Sequence, residues 1–160
     1  MTEHSKLNGR DRLKETIFSI MVSPKVTNGT LLFLRCFVSF MMLTHAFAKI
    51  SNFDTLLNFF PTPFGMSRAM ALSMIIVIEL GGSILLIFGF GSRLALLGLI
   101  AGMCTAAFFS FHPFEISRSE LPMMYLGIYI TLFFTGAGKY SIDYFIVKMS
   151  CKRQTDISIL

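Results

Sequence analysis

Residues 30–50 read Thr-Leu-Leu-Phe-Leu-Arg-Cys-Phe-Val-Ser-Phe-Met-Met-Leu-Thr-His-Ala-Phe-Ala-Lys-Ile. As a helix rising about 1.5 Å per residue, the stretch spans roughly 30 Å, the thickness of a bilayer core. It nevertheless carries Arg35, His45 and Lys49. At 100° per residue these three fall within an arc of about 80°, so one face of the helix is not made for lipid. Ionisable groups inside a membrane usually face the bundle interior and pair there. The partner expected for this face is Glu79.

Composition agrees with a membrane setting. Of 160 residues, 54% are hydrophobic, and the mean hydropathy of +0.68 is well above that of a soluble domain. The net charge of +5 does not point to nucleic acid, because the basic residues sit between apolar runs and not on one polar domain. Cys36, Cys104 and Cys151 have neither Cys-x-x-Cys nor metal-ligand spacing, so no disulfide framework and no metal site is expected. The polar start argues against a secretory leader, and Arg35 interrupts the segment before the Ala46-Phe47-Ala48 pattern.

The expected organisation is all-α: a transmembrane four-helix bundle with amphipathic N- and C-terminal segments. Residues 1–29 form a basic, partly amphipathic lead-in whose apolar pattern (Leu13, Ile17, Ile20, Met21) ends at Pro24; residues 30–147 form the membrane domain; residues 148–160 form a basic tail. The second span, residues 70–90, has Glu79 near its centre. Its twelve Leu, Ile, Val and Phe residues contribute about −4 to −7 kcal/mol to insertion, which outweighs the roughly 2.5–3.5 kcal/mol of one central charge. Gly91-Ser92-Arg93 turns the chain into an uncharged third span, residues 94–111. Gly98-x-x-x-Gly102 gives that span a small-residue face, suited to close packing in the bundle or to a homo-oligomer seam. A polar linker, residues 112–120, leads to a fourth span, 121–138, with Pro122 in its first turn. Residues 144–149 read as a short interfacial helix.

Loop charges set an expected orientation. The N-terminal segment, the Arg93 turn and the C-terminal segment hold ten Lys or Arg, against three in the opposite loops and their flanks. By the positive-inside rule both termini are cytoplasmic. The outer loop, residues 51–69, has an apolar run and two prolines, which suits an element half sunk among the helices.

Counting inward from the outer ends puts Lys49 near the surface, His45 about 7 Å deep and Glu79 about 15 Å deep. His112 and Glu120 approach from the same side, and Arg35 lies below. Two uses compete for this set. One is an outward polar pocket for an amphiphilic ligand, with carboxyl and imidazole exchanging protons. The other is structural, with Glu79 neutral or paired to Arg35 or His45 to lock helix register. Tyr125 and Tyr129, one turn apart, add hydroxyls to the pocket or pack in the core. Haem held by His45 and His112 is disfavoured, because His112 precedes Pro113 at a helix end.

The ordered set Arg35, His45, Lys49, Glu79-Leu-Gly-Gly, Phe88-Gly-Phe-Gly-Ser-Arg93, His112, Glu120 and Gly136-Ala-Gly-Lys-Tyr-Ser-Ile-Asp143 resembles the DoxX family of small four-span bacterial membrane proteins. Ala46 and Ala137 stand where that family commonly has glycine. The resemblance implies an inner-membrane protein tied to redox systems, with Arg35, His45, Lys49, Glu79, His112 and Glu120 as its polar core. It implies a quinone as the ligand and a soluble redox enzyme as a protein partner. A flavin, nicotinamide or iron–sulfur motif is absent from the sequence, so electrons would come from that partner. The competing expectation is a non-enzymatic scaffold, assembly factor or chaperone.

Overall fold

The computed structural model describes Leu13 and residues 23–62, 65–109 and 116–157. These are all-helical: α1 (Pro24–Ser51), α2 (Phe53–Leu57), α3 (Arg68–Phe88), α4 (Ser92–Phe109), α5 (Ile116–Thr135) and α6 (Ile142–Ile157). Apart from Leu13 and residues 23–29, the lead-in lies outside the described residues. Pro24 opens α1, where a missing N–H costs nothing and the fixed φ suits a first turn; the amphipathic pattern expected before it lies outside the described residues. At α3 the Ser67 hydroxyl accepts from the Met70 N–H at 3.3 Å, capping the start. The fourth helix begins earlier than expected, at Ile116, so Pro122 falls inside it and not in its first turn. The C-terminal helix is likewise longer than its apolar part, because the basic tail residues continue it.

Helix α1 packs on α3, α3 on α4 and α4 on α5, with a lighter contact closing α5 against α1; α2 rests on α3 and α1. Glycine lets α3 and α4 approach. A Cβ on Gly102 would lie 2.7 Å from Ile75 Cδ1, and one on Gly82 would lie 2.9 Å from Leu99 Cγ. The Gly98-x-x-x-Gly102 face is therefore spent inside the bundle against α3. Across α4 and α5, the buried Ser119 hydroxyl donates to the Ala107 carbonyl at 3.1 Å.

Polarity is inverted relative to a soluble domain. Arg35, Ser39, Glu79 and Ser83 are fully buried, whereas Phe33, Phe40, Val77, Leu94 and Phe134 are more than half exposed. An apolar outside around a polar inside is what hydrocarbon requires of a helical bundle. Two helices, Pro24–Ser51 and Arg68–Phe88, are long and apolar enough to cross a membrane, and Ser92–Phe108 is a shorter apolar one.

One end of the bundle, here the proximal end, gathers the start of α1, the α3–α4 turn and the α5–α6 connection, and it is tightly tied. The Arg35 guanidinium donates to the Ala137 carbonyl at 2.7 Å and the Tyr140 carbonyl at 2.8 Å. Asn28 Oδ1 accepts from the Lys139 N–H at 2.8 Å. The Asp143 carboxylate accepts from the amides of Gly91 at 2.8 Å and Ser92 at 2.9 Å and from the Ser92 hydroxyl at 2.9 Å, capping α4 from a distant part of the chain. Burial pushes the Asp143 carboxyl up, but these three hydrogen bonds and the nearby Arg35 charge outweigh it and leave it below the usual range.

Gly89 and Gly91 both take left-handed conformations, at φ +68° and +57°. A Cβ on Gly89 would also lie 2.7 Å from Arg35 Nη1 and 2.6 Å from Ser141 Cβ, whereas one on Gly91 would meet nothing within 4 Å. Gly91→Ala should cost only the left-handed backbone term, about 1–2 kcal/mol. Gly89→Ala should cost distinctly more, read as the larger drop in thermal midpoint in detergent. Asp143→Ala should lose a cap at about 1 kcal/mol near neutral pH. Because the folded carboxyl is held below its unfolded value of about 3.9, the stabilisation is present above that value and fades as pH falls through the folded one. Wild type and variant should therefore converge in acid-titrated melts.

Candidate functional site

Opposite the proximal end, α1, α3, α4, α5 and the α2 segment enclose a cavity of about 530 Å³. Its wall is chiefly aliphatic and aromatic, from Met42 on α1 to Leu121 on α5, with Leu56 and Phe59 of the α2 region on one side. Four helices supply its polar groups: His45 and Lys49 from α1, Glu79 from α3, Thr105 from α4 and Tyr125 from α5. This is a greasy body with a few convergent polar groups, the usual make-up of a small-molecule site.

The electrostatic centre is an ion pair between Lys49 Nζ and Glu79 Oε1. Glu79 is 1% exposed and the lysine side chain 26%, so the lysine enters from the rim and its charge meets a carboxylate embedded in the bundle. Oε2 of Glu79 has no hydrogen-bond partner among the described residues. On the same wall, the His45 ring stands edge-on to Tyr125, with centroids 5.7 Å apart and planes at 90°. Tyr125 in turn lies 6.0 Å from Tyr129, which is buried in the core behind the cavity.

The expected constellation is therefore partly assembled. His45, Lys49 and Glu79 share the cavity wall, and the partner of Glu79 is Lys49 and not Arg35 or His45. The depths counted along separate helices kept lysine and glutamate apart, but the flexible lysine stem covers the difference. Arg35 stands at the proximal end, occupied by two carbonyls, and does not reach the cavity. Glu120 is exposed and is not on the cavity wall. His112 lies outside the described residues. Sequence reading gave no role to Asp143, Ser141 and Asn28, all of them at the proximal end. Their signal was present: the Ser-x-Asp after Gly136-Ala-Gly is a capping pattern, but nothing local says that it caps another helix.

Breaking the pair should be costly because it strands a buried charge. Lys49→Met should destabilise the protein by about 3–5 kcal/mol, and adding Glu79→Gln should recover much of that loss. Thermal unfolding of the two single variants and the double variant in one detergent closes the cycle.

A family model described as DoxX matches residues 30–113. No curated protein and no solved structure matches the chain. The matched segment is more than half of the 160 residues. It includes Arg35, both members of the ion pair and most of the cavity wall, within a fold whose apolar helices present hydrocarbon-compatible surfaces. The chain is thus a membrane protein, and it belongs to the DoxX family.

Proposed function

We propose that the chain is a four-span subunit of a redox-associated complex in a bacterial cytoplasmic membrane, with both termini cytoplasmic and the cavity opening outward to take a quinone or similar amphiphile. The observation that carries this reading is the Lys49–Glu79 pair set in the wall of an otherwise apolar cavity. A quinone supplies two-electron, two-proton chemistry; the electrons come from a soluble redox partner. The chain's own residues bind and orient. Lys49 is a donor to a ring oxygen, the Glu79 carboxylate accepts from a ring hydroxyl, and His45 exchanges protons from the same wall. The aliphatic and aromatic wall shelters the ring.

The proximal end favours a second reading. Its Arg35 and Asp143 ties serve rigidity and not ligand binding, as a scaffold for a partner protein would require.

Short-chain quinone titrated into the protein in lipid nanodiscs should raise its thermal midpoint, and Glu79→Gln should weaken that affinity by about tenfold or more, the worth of one charge-assisted hydrogen bond. A folded Glu79→Gln protein that binds as wild type does would end the pocket reading. Loss of partner assembly without loss of binding would favour the scaffold.

A further inference from the structure

On α6, Ile142, Phe145, Ile146 and Met149 recur at i, i+3, i+4 and i+7, the spacing of one helix face. Such a stripe is normally covered, yet each of these side chains is more than two-fifths exposed. Among the described residues no other helix packs extensively on α6. Its start is nevertheless firmly rooted. Ser141 Oγ caps it by accepting from the Tyr144 N–H at 3.2 Å, and the Asp143 N–H donates to the Gly89 carbonyl at 3.0 Å. The Asp143 carboxylate holds the amides that open α4. At 100° per residue the stripe is centred about 110° round the helix from Asp143. The residue that roots α6 in the bundle therefore turns the stripe aside from it.

The surroundings favour one cover. Gly89, which receives the start of α6, follows directly on α3, and α1 begins at the same end; these are the two helices long and apolar enough to cross a membrane. The proximal end thus lies at a membrane surface. It is also cationic. Lys25, Arg93, Lys139 and Lys148 are exposed there, while Asp143 is taken up by its hydrogen bonds. Lys148 comes three residues after Phe145 and so borders the stripe. Lys152 and Arg153 follow in the same helix. A second copy is a poor cover: a stripe about 10 Å long on a helix about 10 Å wide falls far short of the roughly 800 Å² per partner of a stable interface, and like charges would meet.

We infer that α6 lies along the membrane surface with Ile142, Phe145, Ile146 and Met149 sunk among acyl chains, and that Lys139 and Lys148, with Lys25 and Arg93 nearby, bind the phosphates of anionic phospholipids. Apolar burial holds the helix down, and the lysines reach the headgroups on flexible stems. The charges select the lipid, because a cation near an anionic surface gains where one near a zwitterionic surface does not. None of this depends on what ligand the cavity takes.

The sequence has no tryptophan, so a single introduced one reports without background. The full chain carrying Phe145→Trp, or Val147→Trp on the side away from the stripe, is placed in nanodiscs with acyl-brominated phosphatidylcholine and exposed to aqueous acrylamide. The brominated lipid should quench the Phe145→Trp protein severalfold more than the Val147→Trp protein, and acrylamide the reverse. At equal mole fraction in neutral bilayers, brominated phosphatidylglycerol should quench the Phe145→Trp protein more strongly than brominated phosphatidylcholine does. Adding Lys139→Gln and Lys148→Gln should remove most of that preference. Equal acrylamide quenching at both positions means a helix in water and would overturn the inference. So would a Phe145→Trp protein shielded from both quenchers, which means a protein cover, a second copy included. Equal quenching by the two lipids, or a preference that survives loss of both lysines, would overturn it as well.

Discussion

The ion pair between Lys49 and Glu79 sets the terms for the rest of the bundle. A carboxylate at 1% exposure survives only where a cation reaches it, and the chain offers that cation on the one polar face of α1. The pairing fixes how α1 lies along α3, because a slip of one turn would carry the lysine away and leave the acid unpaired in an apolar surrounding. Ser39, Met42 and Ala46 of α1 and Ile76, Ser83 and Leu86 of α3 are buried as these two helices pack together. The aromatic face of α1, with Phe33, Phe37, Phe40 and Phe47, is left outside.

The two ends of the molecule are built by different means. At the proximal end, backbone groups are met by side chains from elsewhere in the chain: Arg35 meets two carbonyls of the α5–α6 connection, and Asp143 meets the amides that the start of α4 leaves unpaired. Such a region has little freedom to move, and Gly89 is packed there so closely that no side chain fits. At the other end the helices part around a cavity of about 530 Å³, roofed in part by the short α2 segment. The α2 region is held lightly, by Arg68 donating to the Asn58 carbonyl at 2.8 Å.

Much of the fold is legible in the sequence, because bilayer-scale apolar runs broken by glycine, proline and charge have few other solutions. Helical periodicity put Arg35, His45 and Lys49 on one face, and the lone acid of the second span named their counterpart. Helix boundaries were less legible. Pro24 and Pro122 each fit two positions relative to a helix start, and the neighbours that each segment meets in space choose between them. The same holds for Gly98-x-x-x-Gly102, whose small face serves an internal neighbour as well as it would an external one.

The amino-acid sequence alone determined that the chain makes membrane-scale helices, that one of them has a cationic stripe, and that a buried carboxylate must answer it. Only the tertiary structure decided which cation does so. Arg35 holds its charge most firmly, yet the α5–α6 connection brings it two carbonyls at hydrogen-bond distance. Glu79 is left to the longer-reaching lysine. One-dimensional spacing gives angle and depth along a single helix. It carries no information on how far one helix slides against the next, or on which distant loop folds back to claim a donor first.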